Sequence, residues 1–132
     1  MPEVAVETDH GVYRIDLETE EVTALEEGRR VRRPAPIETG LPRVVAAAAA
    51  GPTVVAVVDR RPPVVVSYDA GRTWRETGGG LPRGRAVAVH PEDPDLVVYA
   101  ARNRIFVSRD GGRFWHALAP ELPEITAVAF DG

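Results

Sequence analysis

The chain has 132 residues with 20 acids against 16 bases, a formal net charge of -4, and 44% hydrophobic residues. That is one domain's worth of sequence, too apolar and too weakly charged for a disordered chain, with no apolar run near the ~20 residues of a membrane span. There is no cysteine, hence no disulfide framework or thiolate chemistry, and the acidic start Met1-Pro2-Glu3 shows no signal peptide, so a soluble cytoplasmic protein is expected.

In chain order, short runs rich in Val and aromatic residues, punctuated by Gly, Pro and Asp, predict strands rather than helices. The first three cover residues 3–8, 11–16 and 21–25. An insert over residues 28–42 follows, carrying Arg29, Arg30, Arg32 and Arg33, then Pro34 and Pro36. Four strands are expected at 44–50, 53–59, 64–67 and 73–77, then four more at 85–89, 96–101, 105–108 and 114–118. The stretch from Ala46 to Ala50 has high helix propensity, but it is short and flanked by Val, Gly and Pro. A last strand spans 124–130, and Gly78-Gly79-Gly80 reads as a flexible connection.

The chain repeats itself. Ser67-Tyr68-Asp69-Ala70-Gly71-Arg72-Thr73-Trp74 recurs as Ser108-Arg109-Asp110-Gly111-Gly112-Arg113-Phe114-Trp115, and Leu-Pro pairs at 41, 81 and 122 keep nearly the same period. Four antiparallel strands in each such unit make a propeller blade, with its first strand (A) nearest the axis and its fourth (D) outermost. The alanines of 46–50, then Ala86, Ala88, Ala127 and Ala129, suit crowded inner strands. Blade 1 then combines strand A at 124–130 with strands B–D at 3–27, blade 2 is 43–77 and blade 3 is 85–118. Pairing the terminal strands removes exposed sheet edges.

Propellers have about four to eight blades, so a lone three-blade arc would leave apolar blade faces open to water. The expected fold is therefore all-β: a β-propeller of four-stranded antiparallel blades, three per chain, closing as a six-bladed homodimer. In that ring the C-terminal strand of each chain completes the N-terminal blade of the other. Met1 and the stop after the last strand read as a complete gene. A fragment of a longer propeller, or a partner of different sequence, is the alternative.

The two motifs, Ser67-x-Asp69-x-Gly71-x-x-Trp74 and Ser108-x-Asp110-x-Gly112-x-x-Trp115, resemble BNR repeats, or Asp boxes. Such repeats occur in sialidases, sortilin-type receptors and photosystem II assembly factors. The match covers residues 43–123; the N-terminal blade departs from it, with Ile15, Leu17 and Val22 where Ser, Asp and Trp would stand. At a C–D turn, an Asp carboxylate accepts turn N–H bonds, Gly supplies positive φ and Trp packs beneath. The resemblance implies that these residues mark the fold, on the face opposite a sialidase active site.

Chemistry is sparse. A sialidase needs an arginine clamp, a Tyr nucleophile with a Glu partner and an acid/base Asp, and Tyr13, Tyr68 and Tyr99 match no such set. His10, His90 and His116 lack metal-ligand spacing, and residues 90–95 read as an A–B hairpin rather than a Ca²⁺ loop. No cofactor is expected. All sixteen basic residues are arginine, and many fall in the B–C and D–A loops, where propeller ligands generally sit. His10, Arg60, Arg61, Arg102, Arg104, Arg83 and Arg85 are thus candidate ligands for an anionic partner, a protein surface or an anionic small molecule or glycan, with most acids elsewhere. Ordinary solvated arginines paired with nearby acids are the simpler reading of that pattern. Without interleaved aromatic residues, nucleic acid is disfavoured. The expected function is a non-catalytic binding module; the alternative is a sialidase-like or other glycan-active hydrolase.

Overall fold

The computed structural model describes residues 2–25, 30–31 and 36–131. Its strands, in chain order, are β1 (Glu3–Thr8), β2 (Gly11–Asp16), β3 (Val22–Ala24), β4 (Val44–Ala50), β5 (Thr53–Val58) and β6 (Val64–Ser67). They continue as β7 (Arg75–Thr77), β8 (Ala86–His90), β9 (Asp93–Ala100), β10 (Arg104–Ser108), β11 (His116–Glu121) and β12 (Ile125–Phe130). Three four-stranded antiparallel sheets result: sheet I in the order β12-β1-β2-β3, sheet II as β4-β5-β6-β7 and sheet III as β8-β9-β10-β11. Alanine at 46–50 forms strand, not helix, because β5 offers a Val-rich partner along its whole length.

Strand β8 lies between β4 and β12, so the sheets fan out in the order II, III, I from a line of small residues. Alternation fills the wedges. Val55, Val57, Val64 and Val66 of sheet II meet Val87, Val89, Val97 and Tyr99 of sheet III. Val4, Val6 and Ile15 of sheet I meet Ile105, Val107 and Leu118 on the other side of sheet III. On the far face of sheet I, Val12 and Ala127 pack with Val31 from the connection to β4.

Two expectations are corrected. The C-terminal strand does not enter a second chain: β12 pairs with β1 of its own chain, with Val4 opposite Phe130, Ala5 opposite Ala129 and Val6 opposite Val128. The physical reason is chain length: residues 25–43, between β3 and β4, reach further than residues 78–85, between β7 and β8. The far face of sheet II is also not open to water, since Val54, Ala56, Val58 and Val65 are all buried. Arg29, Arg32, Arg33 and Pro34 of the insert lie outside the described residues.

The repeated motifs build turns with matching backbone hydrogen bonds. The Asp69 Oδ1 accepts the Arg72 and Thr73 N–H groups at 3.1 and 2.8 Å, and the Asp110 Oδ1 accepts those of Arg113 and Phe114 at 3.1 and 3.0 Å. The buried Ser67 and Ser108 hydroxyls donate to their Asp at 2.7 Å and accept the Gly71 and Gly112 N–H at 2.8 Å. Gly71 and Gly112 have φ of 90° and 94°, which an L side chain rarely adopts. In each, a Cβ would stand 3.6 Å from the ring of Trp74 or Trp115. Sheet I reaches the same end without the motif: the Asp16 Oδ1 accepts the Glu18 and Thr19 N–H at 2.8 and 3.0 Å. These turns also join sheets, Tyr68 donating to the Gly111 carbonyl at 2.7 Å and Arg109 to the Leu17 carbonyl at 3.3 Å.

Hydrogen bonds hold all three turn carboxylates below their ordinary pKa: the Thr73 hydroxyl and N–H foremost for Asp69, the Phe114 N–H for Asp110, the Thr19 N–H for Asp16. A carboxylate depressed by folding stabilises fully above its unfolded pKa near 3.9, and that contribution is lost as pH falls through the folded value. Thermal unfolding between pH 6 and pH 2 should therefore lose stability below about pH 4. An Asp69→Asn, Asp110→Asn double variant should show a flatter acid limb; an unchanged acid limb would contradict the assignment. Ser108→Ala removes a buried acceptor and donor together, an expected loss of about 1–3 kcal/mol in denaturant unfolding.

Candidate functional site: the arginine rim

The candidate arginines gather at the end of the sheets opposite those turns. Strand ends are tied there by backbone bonds: Asp59 N–H to the Arg43 carbonyl at 2.9 Å, Asp9 N–H to the Glu124 carbonyl at 3.0 Å and Ile125 N–H to the Arg102 carbonyl at 2.7 Å. Arg60, Arg61 and Arg83 line one cleft of about 100 Å³, with Asp59 beside them and Val58, Pro63 and Leu81 as its apolar wall. Arg83 and Arg85 also border a wider depression with Asp59, Ile125 and Thr126.

Most of these cations have carboxylate partners. Arg60 pairs with Glu76, Arg83 with Asp59 at 3.6 Å and Arg104 with Glu121 at 3.9 Å. Arg85 and Arg102 share Glu124, at 3.5 and 3.1 Å. His10 stands apart in the β1–β2 turn, its Nδ1 2.7 Å from an Asp9 carboxylate oxygen. Arg61 makes no ion pair among the described residues. The expectation that acids lie largely elsewhere is thus corrected. Asp59 adjoins Arg60 and Arg61 in sequence; Glu76 comes from β7 and Glu124 from just before β12, and only the fold brings them near.

A buried tyrosine sets the height of this rim. Tyr99 has no exposed surface, and its hydroxyl donates to the Pro82 carbonyl at 2.7 Å. Burial pushes its pKa up to about 12, against a smaller opposing pull from Arg61. Gly84 lies flat on that ring, where an added Cβ would overlap the tyrosine hydroxyl and ring. Tyr99 and Gly84 therefore fix the backbone between Arg83 and Arg85, and nothing in the repeat pattern announces either residue.

No family model and no curated protein matches this chain. Among solved structures it is similar to "YCF48 bound to D1 peptide", with a TM-score of 0.53 and 16% identity over 91% of this chain and 38% of that one. It is also similar to a GH74 enzyme of Niastella koreensis, with a TM-score of 0.51 and 16% identity over 93% of this chain and 18% of that one. Both are β-propellers, and the likeness shows a propeller fold for the three sheets. The chain spans well under half the length of either.

Gly84→Ala should destabilise the protein by about 1–3 kcal/mol, because the new methyl group meets ring atoms that packing holds in place. Denaturant unfolding measures this, and a loss within ±0.5 kcal/mol, the range typical of surface changes, would contradict the seating of the rim on Tyr99.

Proposed function

We propose that this propeller is a non-catalytic binding module that receives an anionic partner at the rim around Arg60, Arg61 and Arg83. One observation carries the reading: three arginines converge on the same small cleft, and with Arg60 paired to Glu76 and Arg83 to Asp59, Arg61 is left without an ion pair among the described residues. Guanidinium groups hold carboxylates bidentately, and an excess of positive charge at one mouth raises the encounter rate with anions. At about 100 Å³ the cleft takes a side-chain-sized group of a larger partner rather than a whole ligand, which needs roughly 300 Å³ or more. The YCF48 structure holds a peptide, so an acidic peptide is the first class to test.

The glycan-hydrolase reading has less support. A glycosidase needs one carboxyl group raised into its acid form, whereas the perturbed carboxylates Asp16, Asp69 and Asp110 are all lowered and committed to turn N–H groups. The Tyr68 and Tyr99 hydroxyls are spent on backbone carbonyls.

Two copies of the chain complete a six-bladed ring in this reading. Three blades fall short of the usual number, and a second identical arc supplies the rest by two-fold symmetry. In support, Val44 and Val45 of the inner strand β4 are 37% and 49% exposed. Each arc pairs its own β1 and β12, so this ring needs no strand exchange.

A fluorescein-labelled polyglutamate peptide, followed by anisotropy, tests the rim. Exchanging Arg60, Arg61 and Arg83 for Ser should weaken binding at least tenfold and flatten its salt dependence. Unchanged affinity would overturn the proposal. Hydrolysis of fluorogenic glycosides that those substitutions abolish would favour the enzyme instead.

A further inference from the structure

A second feature lies between the outer parts of sheets II and III and shares Leu81 with the arginine cleft. There a cleft of about 310 Å³ is walled by Phe114, Trp115 and Phe106, with Leu81 and the bare backbone of Gly79 and Gly80 opposite. That volume is at the lower bound of small-molecule sites, roughly 300–1,000 Å³, which are mostly apolar and aromatic with few polar groups.

Phe114 is the informative residue, because the chain carries its own control. The equivalent position in the first repeat is Thr73, whose hydroxyl donates to the Asp69 Oδ2 at 2.6 Å. Phenylalanine forfeits that bond, and its ring is 79% exposed. The turn at 108–115 thus gives up a hydrogen bond and holds a large apolar ring in water, with no packing gain in return. A local rule broken without structural compensation marks a functional position. Two neighbours agree. A Cβ on Gly79 or Gly80 would meet nothing within 4 Å, so this wall leaves backbone groups open to close approach. Arg113 supplies positive charge at the cleft wall, its guanidinium held 4.9 Å over the Tyr68 ring and bonded to the Asp110 carbonyl at 2.8 Å.

We infer that this cleft is a binding site for a flat ring bearing an anionic group, the ring stacking on Phe114 and the anion facing Arg113. Aromatic walls select a flat ring, and the fixed guanidinium selects the charge. The site shares Leu81 with the rim cleft but none of the rim arginines.

The probe is 8-anilinonaphthalene-1-sulfonate, an aromatic sulfonate whose fluorescence rises on binding. Saturable one-to-one binding by the wild type is expected. Phe114→Thr should weaken it at least tenfold while keeping or raising the melting temperature, since threonine restores the hydrogen bond of the first repeat. Gly80→Val, which fills the cleft from the other wall, should weaken binding similarly. Absence of saturable binding by the wild type, or unchanged affinity in the folded Phe114→Thr protein, would overturn the assignment.

Discussion

The pairing of β12 with β1 carries the rest of this architecture, because it joins the two ends of the chain into one sheet. Asp131 N–H extends it by bonding the Glu3 carbonyl at 2.8 Å, and Arg14 pairs with Asp131 at 3.2 Å. Without β12, sheet I would lose its inner strand, and Val4, Val6 and Ile15 would have no ordered sheet from which to pack on sheet III. The pairing is non-local, so its formation costs loop-closure entropy that only the apolar wedge between sheets I and III offsets. It also places Glu7 against Thr126, whose hydroxyl donates to the Glu7 carboxylate at 2.9 Å. Glu7 in turn accepts the Val31 N–H at 3.4 Å, seating the long connection on the far face of sheet I.

The two ends of the sheets divide the work. At one end, the Ser and Asp side chains of sheets II and III and Asp16 of sheet I absorb turn N–H groups, and cross-sheet bonds lock the turns together. Those carboxylates serve the turns by their own geometry: each accepts two backbone N–H groups on one oxygen and is pushed toward ionisation. At the other end, the loops carry arginines and acids in alternation, with one cleft where arginine exceeds acid. The outer cleft at Phe114 belongs to neither pattern. Its Phe114 stands where the first repeat has Thr73, and it faces solvent.

Much of the strand framework was legible because a repeat fixes spacing twice. The runs at 44–50 and 64–67 coincide with β4 and β6 to the residue, since Gly, Pro and the motif punctuate them on both sides. Strand β7 is shorter than expected, beginning at Arg75, because Thr73 and Trp74 belong to the turn that Asp69 organises. The Asp16 turn was missed, as its carboxylate stands between Ile15 and Leu17, outside the motif's register. The ion pairs of the rim were not legible either. Glu76 reaches Arg60 only because β7 lies beside β6, and Arg85 and Arg102 share Glu124 only because β8 and the β9–β10 turn both adjoin the start of β12. Likewise, sequence gives the order of strands but not which copy's β1 a terminal strand will meet; the reach of residues 25–43 decides that.

The chain is an arc of three sheets, each with its own inner strand at the axis, and the proposed ring needs a second arc. Light scattering coupled to size exclusion tests this most directly. The account predicts a single species at twice the 14.3 kDa of one chain, held across dilution. A folded species at 14.3 kDa at every concentration would contradict closure of the ring by two copies.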